Sequence, residues 1–191
     1  MALSAGTLDA PFYLHGRGIL MRRWIVCMFA FIFSASLASA QSTADAVRLD
    51  LVTYKQLGNE IKNLHGKVVL VDFWADYCQP CKQKFPYVVA LHRKYANQGL
   101  TVVSVSVDDV ADPNARERAK AYLMQQHATC RNFLLAEKPE VWVPKLKMDS
   151  IPAMILFDQE GRMINRWAGN EINLTAIESR IAELVSTSAK P

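Results

Sequence analysis

The chain has 191 residues, of which 51% are hydrophobic and 21% are charged, and its formal net charge is +4 at pH 7. This length and composition predict one ordinary globular domain with appended segments, and they exclude a chain that is disordered throughout. The small excess of positive charge gives no reason to expect binding to nucleic acid.

Residues 21–40 have the pattern of an export signal. Arg22 and Arg23 form a basic start, an apolar stretch begins at Trp24, and residues 38–40 read Ala-Ser-Ala, a small-residue cleavage site. The alternative is an uncleaved membrane anchor, for which the apolar stretch is barely long enough. We therefore predict an exported, periplasmic protein that is either released by cleavage or tethered to the membrane.

The export signal also divides the chain into segments. Residues 1–20 show no periodicity and are interpreted as an over-extended start. We predict a signal peptide or anchor at residues 21–40, a short linker at 41–46, one domain at 47–186 and a tail at 187–191.

The first predicted elements of the domain are a short strand and a helix. Residues 47–52 alternate between apolar and polar side chains, which is typical of a half-buried strand. Thr53 is a candidate N-cap for a helix that continues to about Lys62, and residues 64–67 predict a turn.

Two cysteines, Cys78 and Cys81, lie between a predicted strand and a predicted helix. The run Val68–Val71 is apolar and β-branched, and inward-facing residues recur at helical spacing from Phe85 to Tyr95. At a helix N-terminus, unpaired backbone N–H groups and the helix dipole stabilise a thiolate. We therefore predict Cys78 as a nucleophile and Cys81 as the resolving thiol of a disulfide that opens and closes.

A zinc half-site and a static structural disulfide are the two other interpretations of this cysteine pair. Structural zinc needs four ligands, but only Cys130 follows the pair, and no histidines have ligand spacing. Cys130 lies at the edge of a predicted strand, where a lone, partly buried cysteine is usually inert, and a third redox thiol is the alternative. We predict neither a metal nor another cofactor.

The second half of the chain continues the alternation of strands and helices. The predicted strands are residues 100–107, 131–135, 154–157 and 162–167. The predicted helices are residues 112–126, 139–146 and a terminal amphipathic helix with apolar positions at Leu174, Ile177, Ile181, Leu184 and Val185. Asp112 is expected to be an N-cap, followed by Pro113 as the first helical residue. In the short helix, Val141, Trp142 and Leu146 are expected to face inward.

The segment Val71–Lys82, with the sequence VDFWADYCQPCK, resembles the active-site segment of the thioredoxin superfamily, V-[DN]-F-W-A-x-W-C-x-P-C-[KR]. Tyr77 stands where a second tryptophan is usual. Pro86 and the helix and strand inserted between the central strands resemble the TlpA/ResA-like group, although Lys84 replaces a glutamate of that group. The resemblance covers about residues 47–186. It implies an α/β, three-layer thioredoxin-like fold: a central mixed sheet, helices on both faces and a TlpA/ResA-type helix–strand insertion.

The resemblance also implies roles for individual residues. Asp72 matches a buried carboxylate that shuttles a proton to and from Cys81, and burial on an apolar strand independently predicts a raised pKa for this carboxyl group. Pro152 matches a cis-proline that faces the cysteines and presents backbone groups to a bound peptide. The implied substrate-binding residues are Trp74, Tyr77, Pro80, Ile151 and Pro152.

The function implied by the resemblance is thiol–disulfide exchange between this chain and exported protein substrates. We expect a reductase, for example in cytochrome c maturation, supplied with electrons by a membrane donor, and we expect a monomer. The alternatives are a dithiol oxidant of exported proteins and a non-catalytic, metal-handling assembly protein of the same fold. Metal-handling relatives use CxxxC and a distal histidine, whereas peroxide-reducing enzymes use a lone cysteine, and this chain has CxxC.

Overall fold

The computed structural model describes residues 47–148 and 150–187. The predicted signal segment, the linker at 41–46 and residues 188–191 of the predicted tail lie outside the described residues. Within the described ranges the strands are β1 (Asp50–Val52), β2 (Val68–Trp74), β3 (Leu100–Ser106), β4 (Arg131–Leu135), β5 (Ala153–Phe157) and β6 (Met163–Ala168). The α-helices are α1 (Tyr54–Lys62), α2 (Gln79–Tyr95), α3 (Ala115–Gln125), α4 (Pro139–Leu146) and α5 (Leu174–Thr187).

The six strands form one mixed sheet in the order β1-β4-β3-β2-β5-β6. The pairs β1–β4, β4–β3 and β3–β2 are parallel, whereas β2–β5 and β5–β6 are antiparallel. Every residue of β2 is buried. Asp72 in β2 pairs with Ser104 on one side and with Met154 on the other. The central mixed sheet predicted from the sequence is confirmed.

Helices cover both faces of the sheet, because successive side chains of a strand point to opposite faces. On one face, even-numbered residues of β2 pack with α2, α3 and α5 in a core that includes Leu70, Trp74, Phe85, Leu123, Ile177 and Ile181. On the other face, odd-numbered residues of β2 pack with α1 and α4 in a core that includes Val71, Phe73, Leu57 and Trp142. The three-layer α/β fold is thereby confirmed.

Side-chain caps define the start of two helices. Thr53 is the N-cap of α1, as predicted: its hydroxyl accepts the Gln56 N–H at 3.2 Å, and the Gln56 side chain accepts the Thr53 N–H at 2.8 Å. This reciprocal arrangement is a capping box. Before α5, the Asn173 side chain accepts the Ala176 N–H at 3.1 Å. Asn173 therefore acts as a cap of α5.

The predicted start of α3 at Asp112 is wrong. The helix begins at Ala115, after Asn114 as its N-cap residue. The Asp112 side chain instead accepts the Asn114 N–H at 2.9 Å, and its carbonyl accepts the Ala115 N–H at 3.1 Å. Aspartate readily makes such a bond two residues ahead, and the bond stabilises a turn in place of a helix.

The predicted range of α4 is confirmed, but one of its inward positions is wrong. Trp142 is buried and Leu146 packs against the core, whereas Val141 is exposed and Val143 is the third packed residue. Positions 142, 143 and 146 lie on one helical stripe, because 3.6 residues make a turn, and position 141 falls outside that stripe. β1 is also shorter than predicted and begins at Asp50.

No helix within residues 47–148 or 150–187 is both long enough and apolar enough to cross a bilayer.

Candidate active site

A disulfide joins Cys78 and Cys81 at the N-terminus of α2, with their Cα atoms 5.3 Å apart. Cys78 is the N-cap residue, and its sulfur accepts the Cys81 N–H at 3.3 Å. Pro80 occupies the first turn, where the missing N–H of proline has no helical partner to lose. Cys78 is 7% exposed and Cys81 is 3% exposed. The more exposed of the two cysteines is therefore the one whose sulfur accepts a helix N–H, which favours a thiolate on Cys78.

Asp72 lies in the middle of β2, buried on the face of the sheet that α2 covers. Its neighbours at alternate positions, Leu70 and Trp74, belong to the same core as both cysteines. Burial raises the pKa of the Asp72 carboxyl group to about 7. Within the described part of the chain, no group donates a hydrogen bond to this carboxyl, so desolvation is the whole cause. Asp72 can therefore take up and release a proton near neutral pH.

The predicted substrate contact at Trp74 is wrong. Its side chain is fully buried, and the indole N–H donates to the Ser104 hydroxyl at 2.8 Å. The ring packs against Phe85 and Tyr122, with centroids 5.2 and 5.1 Å away. Even-numbered residues of β2 point into the core beneath α2, so Trp74 packs against that helix instead of contacting a substrate.

Tyr77, the residue before Cys78, and Ile151, the residue before Pro152, line a common cleft. The cleft has a volume of about 180 Å³, and Val107 and Trp142 also line it. Tyr77, which precedes Cys78, is 73% exposed. The Ile151–Pro152 peptide bond is cis, as the resemblance implied, and the Pro152 carbonyl accepts the Gly169 N–H at 2.8 Å.

A family model described as thioredoxin-like matches residues 66–163, about half of the chain. The chain belongs to the thioredoxin-like family. The thiol-disulfide oxidoreductase ResA of Bacillus cereus is 26% identical over 113 residues, which cover 59% of this chain and 61% of that protein. ResA of Bacillus subtilis is 30% identical over 89 residues, which cover 44% of this chain and 50% of that protein. The chain thus spans about three fifths or less of the length of these relatives.

A solved structure agrees with the family assignment. A thiol:disulfide interchange protein of the thioredoxin family from Chlorobium tepidum superposes with a TM-score of 0.52 and 21% identity, covering 65% of this chain and 83% of that one. This likeness shows the thioredoxin-like fold. The family model and the ResA relatives confirm the predicted resemblance to the TlpA/ResA-like group.

A charged network that sequence reasoning missed holds the thioredoxin-like active-site loop. The Asp76 carboxylate accepts from the Lys82 ammonium at 2.6 Å and from the Arg118 guanidinium at 3.2 Å. These contacts lower the pKa of Asp76, the hydrogen bond from Lys82 most of all. The Asp76 N–H donates to both oxygens of the buried Asp108 at 3.0 Å. The loop before Cys78 is therefore fixed to the end of β3 and to the inserted helix α3.

Tyr122, also on α3, replaces a backbone hydrogen bond that is missing from α2, the helix that begins at the cysteines. Pro86 lies inside α2 and has no N–H to donate to the carbonyl of Lys82, four residues earlier. The Tyr122 hydroxyl donates to that carbonyl at 3.1 Å. Burial raises the pKa of Tyr122 to about 12, so the hydroxyl remains protonated and available as a donor. The inserted helix thereby stabilises the first turns of α2.

The third thiol, Cys130, is buried directly before β4. Burial is the largest cause that raises its pKa to about 12, and its sulfur donates to the Asn132 side-chain oxygen at 3.3 Å. A buried, protonated thiol is unreactive, in agreement with the inert interpretation. Across residues 47–148 and 150–187, no three His, Cys, Asp or Glu side chains converge on a position that a metal ion would occupy.

Proposed function

We propose that this chain is an exported thiol–disulfide oxidoreductase that reduces disulfides of protein substrates through Cys78 and Cys81. The observation that carries the proposal is the Cys78–Cys81 disulfide at the N-terminus of α2, with Cys78 as the N-cap residue. The named activity of the ResA relatives supports it. Tyr77, Pro80, Ile151 and Pro152 are the residues that remain proposed to contact the substrate.

The reaction proceeds in two exchanges. In the reduced protein, the Cys78 thiolate attacks one sulfur of the substrate disulfide, that S–S bond breaks, and the departing substrate sulfur takes up a proton. Cys81, as a thiolate, then attacks the Cys78 sulfur of the mixed disulfide and releases the second substrate thiol. The substrate gains two electrons and two protons, and the protein is left with the Cys78–Cys81 disulfide.

Asp72 serves the second exchange. Cys81 must lose a proton before it attacks, and Asp72 lies on the same buried face of the sheet with a pKa near 7. Its carboxylate accepts that proton and returns it when the disulfide is reduced again. Asp72 is accordingly proposed as the general acid–base of the resolving step.

The charges around the disulfide support the reducing direction. A stabilised thiolate makes a dithiol a weak reductant, as in strongly oxidising members of this chemistry. Lys82 follows Cys81 directly, but its ammonium is paired with Asp76 at 2.6 Å, so its charge is largely neutralised. The carboxyl of Asp72 on the buried side disfavours further negative charge nearby. Both features act against the stabilisation of the Cys78 thiolate by the helix N-terminus, and they favour the disulfide form over the dithiol.

The cellular setting of the proposal follows from the signal pattern at residues 21–40. Exported compartments are oxidising, so a reductase there needs a continuous supply of electrons, and a membrane donor is the proposed source. Maturation of cytochrome c, which requires reduced cysteines, is a fitting example of its use. We propose that the protein acts as a monomer.

Equilibration with glutathione redox buffers tests the proposal. The oxidised fraction of the Cys78–Cys81 pair is measured by mass spectrometry after acid quenching and alkylation, with Cys78→Ser as the control. We expect a reduction potential near the thioredoxin value of about −270 mV. A potential near about −120 mV, typical of a strong oxidant, would make the protein an oxidant of exported thiols. Absence of a reversible disulfide would exclude thiol–disulfide exchange altogether.

A further inference from the structure

A groove runs beside Tyr77, the residue before Cys78, between the loop after β3 and the start of α4. It consists of two adjoining cavities of about 180 and 260 Å³, which share Tyr77, Val107 and Pro139 as walls. One end reaches Ile151, next to the cis peptide bond, and the other reaches Asp109 and neighbouring residues. We call this feature the Tyr77 groove. Because Tyr77 directly precedes Cys78, a substrate segment that reacts at Cys78 can extend along this groove.

The rim of the Tyr77 groove is apolar. Tyr77 is 73% exposed and Val110 is 40% exposed, and both line the same cavity. Elsewhere in the described ranges, the other exposed large apolar side chains are Leu51, Met124, Val141 and Met163, and none of them lines the groove. A cluster of exposed apolar side chains marks an interaction surface, whereas single ones do not.

The end of the groove away from Ile151 is acidic. Asp109, Glu137 and Glu140 line it, and Lys138 is the one cation there among the described residues. Glu137 is fixed in place, because its carboxylate accepts the Tyr54 N–H at 2.6 Å. This excess of carboxylates attracts a cationic partner and repels an anionic one.

We propose that the Tyr77 groove selects substrate segments in which an apolar side chain and basic side chains lie close to the reactive cysteine. The apolar side chain packs against Tyr77 and Val110, and lysine or arginine side chains meet Asp109 and Glu140. The inference rests on the proposed function, which it deepens by naming the class of substrate segment. Selection acts on the first exchange, when the Cys78 thiolate attacks the substrate disulfide.

Three peptides, prepared as symmetric disulfides, test this selection. Each has a central cysteine flanked on both sides by leucine and two arginines, by leucine and two glutamates, or by serine and two arginines. The rate constant for oxidation of the reduced protein is divided by the rate constant of the same peptide with dithiothreitol, which removes intrinsic reactivity. Hydroxyethyl disulfide, which is too small to occupy the groove, reports the activity of the cysteine pair itself.

We expect the leucine–arginine peptide to react roughly three- to tenfold faster than either other peptide at low salt, and the charge preference to shrink at high salt. Asp109→Asn with Glu140→Gln should lower the preference for arginine over glutamate severalfold, and Val110→Ser should lower the preference for leucine over serine. The matched controls are Glu160→Gln with Glu183→Gln for charge, and Met163→Ser for exposed apolar area. These controls should leave both preferences unchanged.

The possible failures are distinct. Equal normalised rates for the three peptides, with hydroxyethyl disulfide still reduced, would overturn the groove inference and leave the proposed function standing. Preferences that the control variants reduce as much as the groove variants would also overturn it. No reaction with any peptide or with hydroxyethyl disulfide would contradict the proposed function itself.

Discussion

Asp72 owes its chemistry to its position in the middle of a fully buried strand, where burial raises the pKa of its carboxyl group to about 7. In the unfolded chain the same carboxyl has its ordinary pKa of 3.8. Between these values the unfolded state has lost the proton while the native state keeps it. The contribution of Asp72 to the free energy of unfolding is therefore largest below pH 3.8. This contribution is lost as the pH rises to about 7.

Asp72→Asn should consequently gain stability over the parent as the pH rises. We expect the difference in free energy of unfolding, variant minus parent, to increase by roughly 2 to 4 kcal/mol between pH 4 and pH 8. Urea unfolding of the oxidised proteins measures it. Ser104→Ala, which changes the neighbouring strand without a titrating group, should differ from the parent by a constant amount. If the difference for Asp72→Asn were also constant, the pKa of the Asp72 carboxyl would be the same in the folded and unfolded states, which contradicts the account.

The same substitution should slow the resolving step. Because an amide cannot take a proton from Cys81, we expect release of the second substrate thiol to fall roughly 10- to 100-fold near pH 7, at or below the low end for a positioned base. The step near pH 7 in the rate profile should disappear. Single-turnover quench experiments separate this step from attack by Cys78, which serves as the internal control. An unchanged rate and pH profile would remove Asp72 from the mechanism.

At the scale of elements, one hydrogen bond couples the stability of the inserted helix α3 to that of α2, the helix that begins at the cysteines. The Tyr122 hydroxyl bonds the Lys82 carbonyl that Pro86 leaves unpaired. Tyr122→Phe should lower the free energy of unfolding by about 1 kcal/mol, because this carbonyl loses its partner. In a Pro86→Ala background the loss should be smaller by roughly 0.5 to 1 kcal/mol, since alanine restores the helical N–H.

A double-mutant cycle in urea measures this coupling. Tyr95→Phe is the matched control, because the Tyr95 hydroxyl donates to Glu178 at 3.1 Å and not to a backbone carbonyl. Its effect should add to that of Pro86→Ala. Full additivity of Tyr122→Phe with Pro86→Ala would show that the two helices are not coupled through the Lys82 carbonyl.

Element boundaries were predictable from the sequence where one local interaction decides them. Thr53 begins α1 because its partner Gln56 lies three residues away. Gly161, with φ of 75°, closes the predicted turn between β5 and β6. The start of α3 was not predictable in this way. Asp112 and Asn114 are both capping residues, and Asp112 also pairs with Arg118 at 2.6 Å, so the outcome depended on more than one contact.

At the scale of the whole molecule, the order of strands brings the site together. The carboxyl ends of the parallel strands β2 and β3 and the start of the antiparallel β5 lie at one edge of the sheet, which gathers Cys78, Asp108 and Pro152. Ligand sites in α/β sheets form at this edge. The sequence predicted the cysteine pair, Asp72 and Pro152 because a compact motif and a resemblance identified them.

Long-range contacts were beyond sequence reasoning. Asp76 and Arg118 are 42 positions apart in the sequence, and no local pattern predicts that they form an ion pair. Trp74 was predicted to contact substrate because it lies in the segment that resembles the thioredoxin active site. Its hydrogen bond to Ser104, 30 positions away, assigns it to the core. Residues of the Tyr77 groove come from three separate segments, so only the folded chain reveals them.

Trapping of the mixed disulfide tests the central claim most directly. Reduced Cys81→Ser protein is mixed with insulin or a defined peptide disulfide, quenched with acid and analysed by non-reducing gel and mass spectrometry. The account predicts a stable one-to-one adduct on Cys78, because no second thiol remains to resolve it, and no adduct with Cys78→Ser. Equal adducts from both variants, or an adduct only with Cys78→Ser, would contradict the assignment of Cys78 as nucleophile and Cys81 as resolving thiol.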